Sequence, residues 1–210
     1  MDKSEIVLYQ QDSIITSVEV RLKFDALPMP EVSTAEVRNI KHGRGFSRRV
    51  IDWLNQKKLM GEYRNIDKGW DIAFNNRSVR NVMSHGAMDG KVALLEYAPD
   101  LIENGVYLTT TIKNSDGVYR EAALKEIKDR TLSKSHIFAA KADIDGQKST
   151  VGIVVKEDSN GRRYYDHAIK IGDQEVSGGA NQRASGQSSD PQSTISNIVQ
   201  KHLAVNSQIS

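Results

Sequence analysis

Alternating apolar and polar positions open the readable part of the chain. In Thr16-Ser-Val-Glu-Val-Arg-Leu-Lys-Phe24, Val18, Val20, Leu22 and Phe24 fall on one side and Ser17, Glu19, Arg21 and Lys23 on the other, which predicts a half-buried strand. After Pro28 and Pro30, Ser33-Thr-Ala-Glu36 has capping-box spacing and predicts a helix that Gly43 and Gly45 interrupt. Phe46, Val50, Trp53 and Leu54 recur at helical spacing, so Phe46 to Leu59 reads as a second helix with an apolar stripe. Glu62–Ile66 and Trp70–Phe74, separated by Asp67-Lys-Gly69, read as a hairpin. Val79, Val82 and Met83 form the apolar side of a helix from Arg77 to Ser84, which His85-Gly86 closes. Lys91–Tyr97 is helical, Pro99 breaks it, and Asp100–Asn104 adds one turn.

The second half changes period. Val106–Ile112 is rich in branched and aromatic residues and reads as a strand. Asn114-Ser-Asp-Gly117 is a turn, and Glu121–Arg130 is either a surface helix or a mobile loop. Three strands follow, His136–Ile144, Thr150–Lys156 and Arg162–Ile171, joined at Asp145-Gly146 and Asn160-Gly161, so they form an antiparallel meander. From Val176 the composition turns to Ser, Gly, Gln, Asn and Asp, which cannot bury enough apolar surface to order itself. Beyond it Ile195, Ile198, Val199 and Leu203 share one face of a short amphipathic helix.

A length of 210 residues suits one compact unit. The expected division is residues 1–60 as a strand and helices packing on the core, 61–172 as an α+β core, and 173–210 as linker and terminal helix. With 29 Lys and Arg against 27 Asp and Glu, the net charge of +2 is too balanced to signal nucleic-acid binding globally, so any basic surface is local. The absence of cysteine excludes a disulfide framework, thiol catalysis and cysteine-ligated zinc, and fits an intracellular chain. The polar start lacks an apolar signal region, and no run approaches the roughly 18 to 20 apolar residues of a membrane helix. No phosphate-loop, zinc-protease or nucleophile-elbow motif occurs, and Asp143, Asp145 and Asp158 sit at hairpin tips, where aspartate is a turn residue before it is a metal ligand.

The stretch from Asn76 to Lys170 holds three of the five histidines, His85, His136 and His167, with Lys156, Arg162 and Arg163 near them in sequence. Imidazoles that exchange protons beside cations that hold a phosphate suit metal-free cleavage of a phosphodiester. The runs Asn76–Gly86, Leu94–Tyr107, Lys134–Ala139 and Val154–His167 resemble the large polyvalent protein-associated domains of phages and mobile elements, which are similar to the barnase, EndoU, colicin and RelE superfamily of nucleases. The resemblance spans about Asp67 to Ile171. It implies N-terminal helices packed on an antiparallel sheet of about four strands, metal-independent RNA cleavage as a toxin-like activity, no cofactor, and a cytoplasmic setting in a bacterial host. RNA is the implied partner, with a neutralising or other protein partner beside it, and no membrane. The tail resembles a junction or end of a longer polyvalent protein.

Within that resemblance, simple alternation puts Arg163, Tyr165, His167 and Ile169 on one sheet face, with Tyr164 and Asp166 on the other. His136 and His167 are then the expected base and acid, Lys156 and Arg163 stabilise the phosphorane, and Tyr165 positions the base or phosphate. His85, at a helix C-terminus, is a third candidate whose protonated form the helix dipole favours. Arg162 and Arg80 complete the expected substrate contacts. Each has an ordinary structural counterpart: His85 as a helix stop, His136 as a strand residue, and the cations as guards of a hairpin edge. Trp53 and Trp70 read as core, and Arg44, Arg48 and Arg49 as a solvated face. The alternative function is a non-catalytic module of the same fold that binds a host or phage protein or nucleic acid.

Overall fold

The computed structural model describes residues 18–40, 43–84, 89–113, 119–171 and 191–204. The chain runs through α1 (18–25), β1 (Glu31–Val32), α2 (Ala35–Asn39), α3 (Phe46–Gln56), β2 (Gly61–Arg64), β3 (Asp71–Phe74), α4 (Asn76–Ser84), α5 (Asp89–Glu96), α6 (Ala98–Asn104) and β4 (Val106–Lys113). It continues through β5 (Tyr119–Glu121), α7 (Leu124–Lys128), β6 (Lys134–Ile144), β7 (Gln147–Glu157), β8 (Arg163–Ile171) and α8 (Pro191–Leu203).

The architecture is α+β. Its sheet is mixed and eight-stranded, ordered β2-β3-β8-β7-β6-β4-β5, with β1 added beside β6. That corrects the expectation of about four antiparallel strands. The β2–β3 hairpin forms as its sequence suggests, but β3 then pairs in parallel with β8 through Ile72–Arg163 and Ala73–Tyr164. β1 is likewise parallel to the end of β6. Contacts so distant in sequence leave no mark in local periodicity.

Both faces of the central strands are covered, which explains why β6 and β7 read as long apolar runs. On one face Phe138, Ala140, Ala142, Val151, Ile153, Val155 and Tyr165 pack with buried residues of α2 to α6. On the other, Ile137, Ala139, Val154 and Ile169 pack with Phe24 of α1 and with Ile195, Ile198, Val199 and Leu203 of α8. The four apolar residues of the terminal helix thus enter a second core. Gly152 makes the approach possible, because a Cβ there would lie 3.2 Å from Ile171 and 3.3 Å from both Ile195 and Val199.

Residues 18–25 correct the predicted strand: they are helical. Val20, Phe24 and Leu27 all reach the second core, a spacing of four and three that fits a helical turn and that strict alternation does not give. Glu19–Lys23 and Arg21–Asp25, at 2.9 Å each, add i,i+4 ion pairs available only to a helix, and Leu22 is left exposed. The capping box at Ser33 does not form either. Thr34 instead donates its N–H and hydroxyl to Asp145, at 3.0 and 2.6 Å, tying α2 to the β6–β7 turn. In that turn Asp145 (φ 50°) and Gly146 (φ 84°) are both left-handed, the geometry that Asp-Gly favours. The β7–β8 connection is longer than the two residues suggested: Asp158 and Arg162 close it, and Asp158 Oδ1 accepts from the N–H groups of Asn160 and Arg162. Glu121–Arg130 resolves into the end of β5 and α7, held by an Arg120–Glu126 pair at 2.6 Å.

A side chain at position 152 must push α8 away from the sheet. Gly152→Val is expected to lower stability by about 1–3 kcal/mol, read from the urea midpoint; an unchanged midpoint would mean that α8 does not seat there.

Candidate functional site

Which side chains can meet is decided in β8. Val155 pairs with Tyr165 and Val154 with His167, so Asp166 is an extra residue opposite that step of β7, a β-bulge. Alternation breaks there. Tyr165 shares the face of Val155 and His136, whereas His167 shares the face of Val154 and Ile137. The expectation that Tyr165 and His167 lie together is therefore corrected, and with it the pairing of His136 and His167, which sit on opposite faces of the sheet.

On the face covered by α2 to α6, His136 is 2% exposed and lies 4.7 Å, centroid to centroid, from the Trp70 ring. Its Nε2 is 3.2 Å from Glu157 Oε2 and its Nδ1 is 2.8 Å from Thr110 Oγ1. Burial alone would raise the Glu157 carboxyl, but Lys134 at 3.2 Å, Arg163 at 2.7 Å and His136 together hold it below its ordinary range. An ionised carboxylate only accepts, so His136 donates from Nε2 and accepts the Thr110 hydroxyl proton at Nδ1. Tyr107, 2.7 Å from Thr110 Oγ1, then supplies the remaining proton of the chain. Burial pushes the His136 imidazole down to about 4, so the ring is neutral near neutral pH.

The other cluster lies where α4 runs beside β8. Asp166, 1% exposed, accepts from His167 Nδ1 at 2.9 Å, from Asn81 Nδ2 at 2.6 Å, and pairs with Lys156 Nζ at 3.0 Å. Burial would raise its carboxyl, yet His167 and Lys156 outweigh that and hold it at about 2. An acceptor-only Asp166 requires a proton on His167 Nδ1, so His167 donates there. One turn earlier in α4, the Arg77 guanidinium lies over the Tyr164 ring at 4.2 Å. Four helical residues rise about 6 Å and two strand residues about 6.6 Å. Arg77 and Asn81 are therefore in step with Tyr164 and Asp166.

Of the residues singled out in the sequence, His167 and Lys156 meet through Asp166. Arg163 lies with His136, its guanidinium on Glu157 and 4.2 Å over Trp70. Tyr165 is 1% exposed and packs edge-on against Phe74, so it is core and not a surface contact. Arg162 is exposed at the β7–β8 turn. Arg80 is exposed on α4 and, with Phe46, Ile51 and Arg48, lines a separate cavity of about 510 Å³. His85 lies outside the described residues. Asp166, Asn81 and Glu157 were missed. Asp166 stood beside His167 in the sequence but was assigned the opposite face; nothing local marked the other two. Trp53 and Trp70 are half-buried against the first core. Among the described residues, no group of three or more metal-ligating side chains is placed to hold an ion, and no helix is long and apolar enough to cross a membrane.

The buried, neutral His136 has a pH signature. Its folded value of about 4 is below the ordinary 6.5, so the unfolded chain binds the proton first; the stabilisation is present above 6.5 and is lost as the pH falls toward 4. Between about pH 7 and pH 5 this amounts to about 1–2 kcal/mol. Urea unfolding of His136→Gln is expected to show a smaller loss over that interval than the native chain; an equal loss in both would assign it to other groups.

No curated protein and no solved structure matches this chain. Residues 44–165, more than half of its length, match the family model described as large polyvalent protein-associated domain 3. That span takes in α3 to α7, β2 to β7 and the start of β8 as far as Tyr165, and the chain belongs to the large polyvalent protein-associated domain 3 family.

Proposed function

We propose that this domain is a metal-independent endoribonuclease whose chemistry is centred on His167. The observation that carries the reading is the buried Asp166 carboxylate, which holds His167 by Nδ1 and Lys156 by its ammonium within 3.0 Å. Cleavage of RNA without a metal needs a base for the ribose 2′-hydroxyl, a cation for the charge that builds on phosphorus, and an acid for the departing 5′-oxygen. His167, held by Nδ1 on Asp166, takes the first part. Lys156, with about a third of its side chain exposed, takes the second, turning from Asp166 toward the phosphate as negative charge develops. The acid is assigned to the remaining imidazole candidate of the sequence, His85, on residue type alone. Arg162 and Arg80 are surface cations that help draw the polyanion, while Arg163 stays on Glu157 and Trp70. His136 is given a structural role in this reading, because both of its nitrogens are engaged on the far face.

A second reading, the non-catalytic binding module, is favoured by one observation: the His167 side chain is only 9% exposed. Such a domain would present its surface to a protein or nucleic acid and leave the buried ion pairs to hold the strands. The two readings separate in one assay. Cleavage of single-stranded RNA in EDTA is expected from the native chain, with a fall of about 10²-fold or more in His167→Asn, which keeps a donor to Asp166 but no base. Lys156→Ala is expected to lose activity as well, and His136→Gln to retain it. Undiminished cleavage by His167→Asn, or none by the native chain, would contradict the nuclease reading.

A further inference from the structure

Arg77 and Tyr164 have no part in the proton transfers above, yet they stand one step along the same α4–β8 seam. Tyr164 is the register partner of Lys156 on β7 and is half-buried, so its ring is fixed next to the cation assigned to the phosphate. Arg77 is exposed in the first turn of α4, its guanidinium 4.2 Å from the Tyr164 ring centroid. No carboxylate among the described residues pairs with it. Its partner is an aromatic face, an attraction of modest strength that an anion readily exceeds. An arginine parked on a tyrosine beside a Lys–Asp–His cluster offers two complementary surfaces: a fork for a phosphate and, once the fork swings to it, a bare ring for a base.

Resting on the nuclease reading, we propose that Arg77 and Tyr164 form the subsite for the nucleotide next to the scissile phosphate and that the substrate is single-stranded RNA. The base stacks on Tyr164 in the place that the guanidinium vacates, and Arg77 pairs with the adjacent phosphate. Only an unpaired base can do this, because in an A-form duplex the base faces are already stacked. Stacking on one ring tolerates any base, so the subsite selects strandedness and not sequence. No bond is made or broken here; the subsite sets where the chain lies relative to His167.

The test is binding of a fluorescently labelled, unstructured oligoribonucleotide, by anisotropy in EDTA, to the full chain carrying His167→Asn so that no cleavage intervenes. Tyr164→Ala is expected to weaken binding by about tenfold and Tyr164→Phe to leave it near the parent value. Arg77→Ala is expected to weaken binding and to reduce the slope of log affinity against log salt by about 1. The same sequence as a duplex is expected to bind more weakly. Unchanged affinity in Tyr164→Ala, an unchanged salt slope in Arg77→Ala, a duplex bound as tightly as the single strand, or no binding by the parent would each overturn the subsite. Circular dichroism checks folding, and if Tyr164→Ala does not fold, the exposed Arg77 decides through its salt slope. His167-dependent cleavage with binding insensitive to both residues overturns the subsite alone. Binding with the expected sensitivities but no cleavage by the native chain overturns the nuclease reading and leaves Arg77 and Tyr164 only as a contact for single-stranded RNA.

Discussion

The extra residue in β8 governs how the charged groups of this domain are distributed. Without the bulge at Asp166, the strand would continue its alternation and Tyr165 and His167 would face the same side. With it, the Tyr165 ring stays in the core between the sheet and the helices, and His167 turns to the opposite face. The bulge also leaves a carboxylate where the β7–β8 ladder cannot use it. A buried carboxylate is costly unless paired. Asp166 is paired three times, by His167, Lys156 and Asn81, and these contacts join two strands to a helix.

The two histidine clusters show how one residue type is put to different uses. His136 stands in a closed chain from Tyr107 through Thr110 to Glu157, with Lys134 and Arg163 balancing the carboxylate. Such a network holds β4, β6, β7 and β8 in register and keeps the imidazole neutral. His167 has its Nδ1 on a carboxylate, so it donates there. Environment, not residue identity, separates the roles.

Much of the fold was legible where the signal is local. The β2–β3 hairpin, α4 to α6 and the three long strands follow from apolar period and turn residues, because each is decided by neighbours within a few positions. The first helix was not legible: Val18 to Phe24 satisfies both periods, and only the i,i+4 ion pairs of Glu19, Arg21, Lys23 and Asp25 settle it. The parallel contact of β3 with β8 and the bond from Asn81 of α4 to Asp166 depend on residues 91 and 85 positions apart. His167 and Lys156 were visible as candidates from residue type and spacing. Their link was not, because Tyr-Tyr-Asp-His reads as uniform strand and hides the bulge that turns Asp166 toward them.

The hydrogen-bond partners of the two histidines require a proton on opposite ring nitrogens, and this offers the most direct test of the account. Long-range ¹H–¹⁵N correlation of the imidazole rings near neutral pH, with assignment by His136→Gln and His167→Asn, reads the tautomers without reference to activity. The account predicts His136 as Nε2–H, donating to Glu157, and His167 protonated at Nδ1, donating to Asp166. A His167 ring protonated only at Nε2 would contradict it, since Asp166 would then not be holding that nitrogen and the bulge would not be placing the pair.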